Sequence, residues 1–127
     1  MIDAIFNQTG YVTAKKMLDA TALRHDAIAS NLANLETPNY RRIDVAPSFS
    51  NDLRQAILSG DAAQVSGQQP TLAIDANATA SDRDGNTVQL ETELLALNQN
   101  TTAHALETQL VSGQLYRLRM AITGRST

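Results

Sequence analysis

The stretch ASDRDGNTVQLE, which begins at Ala80, resembles part of a calcium-binding loop. If Gly85 takes the sixth position of such a loop, then the third, fifth and twelfth positions carry acidic side chains, and calcium is bound by side-chain oxygens at these positions. Those acidic residues are Asp82, Asp84 and Glu91. Ala80 takes the first ligand position but has no side-chain oxygen, and the preceding residues lack the pattern of an entering helix. An Asp-Gly-Asn turn before a helix therefore explains the segment better than a calcium site.

The two histidines, His25 and His104, each lie on or beside the apolar side of a predicted helix. They could share a metal ion if the two helices packed in the right register. The chain has no cysteine, however, and no third ligand is spaced to complete a site. We therefore predict that both histidines are polar residues at a helix interface, and we predict no metal and no cofactor.

The composition and motifs give no support for catalysis or for nucleic-acid binding. Ten Lys and Arg residues and thirteen Asp and Glu residues are spread along the chain, for a net charge of −3, so no basic surface is predicted. Neither a G-x-S-x-G motif nor a glycine-rich phosphate loop occurs. We predict no catalytic residue, no small-molecule substrate and no nucleic-acid partner.

Two long amphipathic helices are predicted at the ends of the chain. The N-terminal helix, residues 1–35, has either Thr9 as its N-cap or an earlier start at Asp3. The C-terminal helix, residues 88–127, carries apolar residues at alternating three- and four-residue spacing, as in a coiled coil. Those residues are Leu90, Leu94, Leu97, Val111, Leu115, Leu118 and Ile122. At about 1.5 Å per residue this helix is roughly 50 Å long, which is too long for a small globule.

The middle of the chain, residues 36–87, is predicted to hold a turn motif, a short helix and a loop. Ser50 is a candidate N-cap for the short helix SNDLRQAILS, and Gly60 follows its end. Residues 61–86 are small, polar and rich in turn residues, and only TLAID has the pattern of a strand. With no tryptophan and two phenylalanines, the chain has few large side chains for a core. We predict one mainly α domain, residues 1–127, whose terminal helices pair as a coiled-coil-like bundle.

The first long helix must stop within residues 30–42, SNLANLETPNYRR. Pro38 disfavours helical dihedral angles at Thr37, and Thr-Pro-Asn-Tyr has proline at the second position of a β-turn. Asn31 and Asn34 fall in the last helical turn, where their amides can bond free carbonyls or a neighbouring chain. On spacing alone, an ordinary helix C-terminus explains these residues.

The same residues resemble a motif of the bacterial flagellar axial proteins, which are the rod, hook and hook-associated proteins. In that motif a helix runs into Ala-Asn-x-x-Thr-Pro-Gly-Tyr. The matching residues are Asn31, Ala33, Asn34, Thr37, Pro38 and Tyr40. Asn39 stands where the family usually has glycine, and asparagine is the next-best residue for a left-handed turn position. The DGNTV segment and the long helix after it are similar to the proximal rod members of the family.

This resemblance implies a structural subunit of the flagellar proximal rod. The lack of a signal peptide and of a membrane span would alone indicate a soluble cytoplasmic protein. The resemblance instead implies export through the flagellar type III apparatus without a cleaved signal, followed by polymerisation in the periplasm. The implied partners are copies of itself, other rod proteins, the hook–basal body adaptor, and export gate or ring components. The residues expected to pack between subunits are Leu18, Ile28, Leu32, Leu94, Leu97, Val111, Leu115, Leu118 and Ile122.

Two other interpretations remain open at this point. The chain could be another short flagellar rod protein, or it could be a helical secretion chaperone or coiled-coil adaptor. A chaperone should fold and dimerise alone, whereas a rod subunit should be loosely ordered at its ends until it is incorporated.

Overall fold

A computed structural model describes residues 8–124 of the chain, and two long helices dominate it. Helix α1 spans Thr9–Ala33, and the last helix, α4, spans Leu90–Thr123. Their side chains meet near the C-terminal end and at the middle of α1, with Asn31 bonded to Glu93 and Thr21 bonded to Glu107, so the two helices run antiparallel. The prediction of a mainly α fold with long terminal helices packed together and little β structure is confirmed.

The start of α1 differs slightly from the prediction. Gln8 is the N-cap and Thr9 is the first helical residue, so Thr9 is not the cap. The alternative start at Asp3 lies outside the described residues. At its other end the helix stops at Ala33, with Asn34 as the C-cap, which places the stop before Pro38 as predicted.

The segment between the long helices contains more regular structure than predicted. Strand β1, Ile43–Val45, leads into helix α2, Pro47–Ser59. Helix α3, Ala62–Gly67, and strand β2, Leu72–Ile74, follow it. The two strands pair antiparallel and form a two-stranded ribbon. Strand β2 lies within TLAID as predicted, whereas β1 and α3 were not predicted.

Helix α2 begins earlier than its sequence signal indicated. Ser50 is not its N-cap, because Pro47 is the first helical residue and Ala46 is the cap. Proline suits this position, since its fixed φ matches the helix and its missing N–H leaves no donor unpaired. Ser50 Oγ instead donates to the Pro47 carbonyl at 2.9 Å. Gly60 ends the helix in a left-handed conformation, with φ 72°, as its position predicted.

A small apolar core lies among the N-terminal half of α1, the ribbon, α2 and α3. Its buried residues are Val12, Val45, Phe49, Leu53, Ala56 and Val65, and Tyr11, Ala20 and Leu23 pack against it. Helix α4 supplies none of these residues. Its attachment to α1 therefore depends on a different set of contacts.

The side of α4 that faces α1 is polar at its centre. Glu93, Asn100 and Glu107 are buried at seven-residue spacing, and each hydrogen bonds to α1. Leu118 is also buried, while Leu97 and Val111 are half-buried. The remaining members of the predicted apolar stripe are exposed, namely Leu90, Leu94, Leu115 and Ile122. At Glu93, for example, the residue that faces α1 is one position before Leu94 of the predicted stripe. The face of α4 that contacts α1 is therefore rotated from the predicted stripe along part of the helix.

Candidate functional site: a joint between the terminal helices

The residues that follow α1 are hydrogen-bonded to the residues that precede α4. We call this region, residues 31–42 and 84–93, the joint. Asn39 N donates to the Asp84 carbonyl at 2.8 Å, and Thr87 N donates to the Tyr40 carbonyl at 3.0 Å. Arg42 N donates to Thr87 Oγ1 at 2.8 Å. The Thr-Pro-Asn-Tyr turn and the DGNTV segment, which carry the family resemblance, are thus in direct contact.

Asn86 caps the C-terminal end of α1 from outside that helix. Its Nδ2 lies 2.9 Å from the carbonyl oxygens of Asn34 and Leu35 and 2.8 Å from that of Thr37. Two of these carbonyls also accept from the backbone of the turn, Asn34 O from Thr37 N at 3.0 Å and Thr37 O from Tyr40 N at 3.3 Å, so the Asn86 amide fixes the turn that follows α1. Asn86 Oδ1 also accepts from Val88 N at 2.8 Å, and the side chain is buried. Sequence analysis missed this role, because the turn signal of Asp-Gly-Asn does not reveal a partner so distant along the chain.

Asn39 adopts the left-handed conformation expected at the position where the family usually has glycine, with φ 59°. Gly85 lies opposite it, also with a positive φ of 74°. A Cβ atom on Gly85 would lie 2.6 Å from Asn39 Oδ1, which is closer than such atoms approach. The asparagine side chain therefore occupies the space that a side chain at position 85 would need.

We expect Gly85→Ala to lower the free energy of unfolding by about 2 kcal/mol, measured by urea denaturation of the purified chain. The left-handed backbone accounts for about 1–2 kcal/mol of this, and the contact with Asn39 adds to it. Asn39→Gly in the Gly85→Ala chain should restore the part that comes from the contact. Gly60→Ala is the matched control, since Gly60 also has a positive φ of 72° and nothing lies within 4 Å of its added Cβ. If Asn39→Gly changes stability equally in the unmodified chain and in the Gly85→Ala chain, then the contact between positions 39 and 85 costs nothing.

Asn31 is fully buried and links three elements. Its Nδ2 donates to the Ile43 carbonyl at 2.8 Å and to Glu93 Oε2 at 3.2 Å. Its Oδ1 accepts from Ile43 N at 3.0 Å and from the Tyr40 hydroxyl at 3.3 Å. One amide side chain therefore fixes the end of α1 against both β1 and the first turn of α4.

The other motif residues act within the turn or face outwards. Asn34 Nδ2 donates to the Ser30 carbonyl at 2.8 Å, which is the carbonyl bonding predicted for this amide. Thr37 Oγ1 donates to Asn34 Oδ1 at 3.2 Å. Ala33 and Pro38 are exposed. The joint thus depends mainly on Asn31, Asn34, Asn39 and Tyr40 within the motif.

Arg42 stands at the centre of a group of ion pairs that sequence analysis did not find. Its Nε donates to Glu93 Oε1, and its Nη1 donates to Asp75 Oδ2 at 2.8 Å and to Asp44 Oδ2 at 3.2 Å. The side chain of Arg42 is 8% exposed and that of Glu93 is 0% exposed. Arg24 of α1 donates to Asp44 Oδ1 at 2.8 Å. These pairs join α1, the ribbon and α4, with Arg42 and Glu93 buried and Arg24, Asp44 and Asp75 partly exposed.

The ion pairs shift the pKa values of two members. Burial alone raises the pKa of Asp44, but hydrogen bonds from Arg24 and the Val45 N–H, with the charges of Arg24 and Arg42, lower it overall. Burial alone lowers the pKa of Arg42, but its hydrogen bond and attraction to Glu93, with the charge of Asp44, raise it overall. Both groups are therefore charged at neutral pH.

The lowered pKa of Asp44 predicts a loss of stability in acid. Its unfolded-state pKa is about 3.9, so the ionised carboxylate stabilises the fold above about pH 4. That contribution is lost as the pH falls through the lower folded-state pKa. At about pH 7 we expect Asp44→Asn to lower the free energy of unfolding by about 1 kcal/mol, with a smaller difference at about pH 3.

Urea denaturation at the two pH values tests this expectation. Asp52→Asn is the control, because Asp52 is exposed and has no ion pair among the described residues. An Asp44→Asn effect that does not shrink in acid would contradict the proposed origin of the stability.

The candidate metal-binding residues take structural roles. His104 Nδ1 lies 3.0 Å from Thr21 Oγ1, and that hydroxyl donates to Glu107 Oε2 at 2.8 Å, so His104 lies at the helix interface as predicted. His25 is exposed. Asp84 Oδ1 accepts from Asn86 N at 3.0 Å within the turn. Across residues 8–124, no group of three or more His, Cys, Asp or Glu side chains is placed to hold a metal ion.

The joint consists of hydrogen-bonded amides, a fixed turn and ion pairs, which hold α1, the ribbon and α4 of a mainly helical chain together. A family model described as "Flagella basal body rod protein" matches residues 13–41, which cover most of α1 and the Thr-Pro-Asn-Tyr turn. Among the described helices, none is both long enough and apolar enough to cross a membrane.

Two relatives extend this similarity to most of the chain. The flagellar basal body rod protein FlgB of Borrelia hermsii is 30% identical over 115 residues, covering 76% of this chain and 83% of the relative. FlgB of Borreliella burgdorferi is 28% identical over 113 residues, covering 75% and 82%. The chain belongs to the flagellar basal body rod protein family, and within that family it is similar to FlgB. It is a structural protein of the rod.

Proposed function

We propose that this chain is a subunit of the proximal rod, and that it polymerises through α1 and α4 with copies of itself and with other rod proteins. The joint fixes the angle at which the chain leaves α1, and the protein has no enzymatic activity. Residues 1–127 act as one unit that leaves the cytoplasm through the flagellar type III apparatus without a cleaved signal and assembles in the periplasm. Its further partners are the hook–basal body adaptor and export gate or ring components.

The exposed apolar side chains of α4 are the observation that carries this proposal. Seven of them are at least 42% exposed, although α4 lies along α1 for much of its length. They are Leu90, Leu94, Leu95, Leu106, Leu110, Leu115 and Ile122. Because burial of each such side chain contributes about 1.5–3 kcal/mol, contact with other subunits would offset the entropy lost on assembly.

The polar residues of α4 that face α1, which we call the polar seam, explain why these apolar side chains are free for assembly. Glu93, Asn100 and Glu107 take the positions that face α1, so the pairing of the two helices within a subunit uses little of the apolar surface of α4. A polymer needs surfaces that the folded subunit leaves open, and a contact between two different surfaces generates a helical stack when it does not close.

We expect Leu115→Asp to leave the subunit folded and to reduce the number of assembled rods by at least about tenfold, since a buried unpaired carboxylate costs several kcal/mol. Leu115 is 43% exposed, so a charge there is tolerated in the free chain. Gln109→Asp is the matched control on an exposed polar position of the same helix. Circular dichroism measures folding, and counting of basal bodies in cells that carry each variant measures assembly.

Normal rods with Leu115→Asp would remove this residue from the proposed packing surface. A stable dimer of the unmodified chain in light scattering, fully resistant to protease and absent from isolated basal bodies, would favour the chaperone or adaptor interpretation instead.

A further inference from the structure

We propose that a groove formed by α1, α2 and α4 of one subunit receives the first turns of α4 from a second copy of this chain. The inference rests on the proposed function and names the two surfaces that meet. The groove is lined by Met17, Phe49, Leu53, Ile57 and Leu58. The side chains on the first turns of α4 that would enter it, which we call the knob, are Leu90, Glu91, Leu94 and Leu95.

The groove is apolar and open. It has a volume of about 460 Å³ and runs between α1 and α2, with α4 at its floor near Ala103. Phe49 and Leu53, which line the α2 side of the groove, also belong to the buried core. Leu58 is 80% exposed on the rim. An exposed leucine beside a preformed apolar groove is typical of a surface that packs against another protein.

The free charge of the groove is positive. Arg54 lies on the α2 wall and is exposed, and it has no acidic partner among the described residues. Of the other two charged groups of the lining, Arg24 is paired with Asp44, and Glu107 is only 6% exposed, with Oε2 bonded to the Thr21 hydroxyl. Arg54 is therefore the exposed, unpaired charge that a partner would meet. A partner that fits the groove should therefore combine apolar side chains with an acidic one.

The knob has this combination, and the other end of α4 does not. Its three leucines are 42–59% exposed, and Glu91 is exposed without a basic partner among the described residues. The exposed apolar residues near the other end of α4 lie beside Arg117 and Arg119, whose charges would repel Arg54. Charge complementarity therefore selects the first turns of α4.

The occupant must belong to another copy. The groove borders the middle of α4, at Ala103 and Glu107, while the knob is at the start of the same continuous helix. A straight helix cannot bring its own first turns into a groove at its own midpoint. The contact joins two different surfaces, so repetition extends an assembly instead of closing a symmetric pair.

Reciprocal charge reversal tests the contact. We expect Arg54→Glu and Glu91→Arg each to reduce basal bodies by at least about tenfold while the purified chain stays folded, because each places like charges together at a buried interface. The double variant should recover most of the assembly. Arg83→Glu is the control at an exposed arginine outside both surfaces. Normal assembly by either single variant, or no recovery by the double variant, would overturn the contact.

Cysteine cross-linking supplies an independent readout, because the chain has no cysteine of its own. Leu58→Cys together with Leu94→Cys, treated with a short bismaleimide in isolated basal bodies, should give a ladder of covalent oligomers. Each single variant should give no ladder. Basal bodies that contain the double variant but yield no ladder would overturn the contact and leave the rod function intact. Absence of the unmodified chain from basal bodies would overturn the rod function itself.

Discussion

Replacement of Glu93 by alanine is expected to lower the free energy of unfolding by about 3–5 kcal/mol, and it can unfold the chain altogether. Arg42 would lose its fully buried partner in a site that is only 8% exposed and keep the partly exposed Asp44 and Asp75. Its guanidinium cannot lose its proton to escape the cost. In the same site, the buried Asn31 would lose its hydrogen bond to Glu93 Oε2. Urea denaturation followed by circular dichroism measures the loss.

Three further variants make this result specific. Glu93→Gln keeps the shape and one acceptor for Arg42, so its effect should be about half as large. Glu91→Ala removes an exposed glutamate from the same helical turn and should change stability by less than about 0.5 kcal/mol. The double variant Arg42→Met, Glu93→Leu should lose less than Glu93→Ala, because Asp44 keeps Arg24 and Asp75, which loses Arg42, is 25% exposed and can be hydrated. Equal losses from Glu91→Ala and Glu93→Ala would contradict the role of the buried pair.

Asn86→Ala is the second large effect, with an expected loss of about 3 kcal/mol. The variant removes the amide that three carbonyls at the end of α1 share, and it removes the acceptor for Val88 N. Because these carbonyls lie in the joint, the loss should be local as well as global. We expect new protease cleavage between residues 34 and 38, detected by mass spectrometry of limited digests.

Asn98→Ala is the matched control, since Asn98 is exposed on α4 and its side chain makes no hydrogen bond within the described residues. It should change stability by less than about 0.5 kcal/mol. Asn86→Asp keeps the acceptor for Val88 N but turns a carboxylate towards three carbonyl oxygens, so it should be at least as damaging as alanine. A mild effect of Asn86→Asp would mean that the capping donors matter little.

The end of α1 could be predicted because its causes are local. Pro38 restricts the residue before it, and Asn39 tolerates the left-handed conformation, so the stop and the turn follow from neighbouring residues. The same is true of the end of α2 at Gly60. The start of α2 was missed, since both Pro47 and Ser50 are good helix-start residues and only the packed chain decides between them.

The seam between α1 and α4 could not be predicted from the hydrophobic pattern. The pattern placed Leu94 and Leu115 on the packed stripe of the helix, yet the positions of α4 that are buried include Glu93, which is next to Leu94, and Glu107. A glutamate is buried only when it finds partners, and Asn31, Arg42 and Thr21 come from other parts of the chain. Hydrophobic periodicity records apolar side chains and cannot register such a partner.

The sequence by itself determined the mainly α class, the two long helices, the stop of α1 before Pro38 and the family resemblance, because these depend on local dihedral preferences, periodicity and a short motif. Tertiary structure decided which face of α4 meets α1, what caps the end of α1, and where the buried charges lie. Each of those outcomes depends on pairs of residues that are distant along the chain. The free energy of a buried amide or ion pair exists only once both members are brought together and water is excluded.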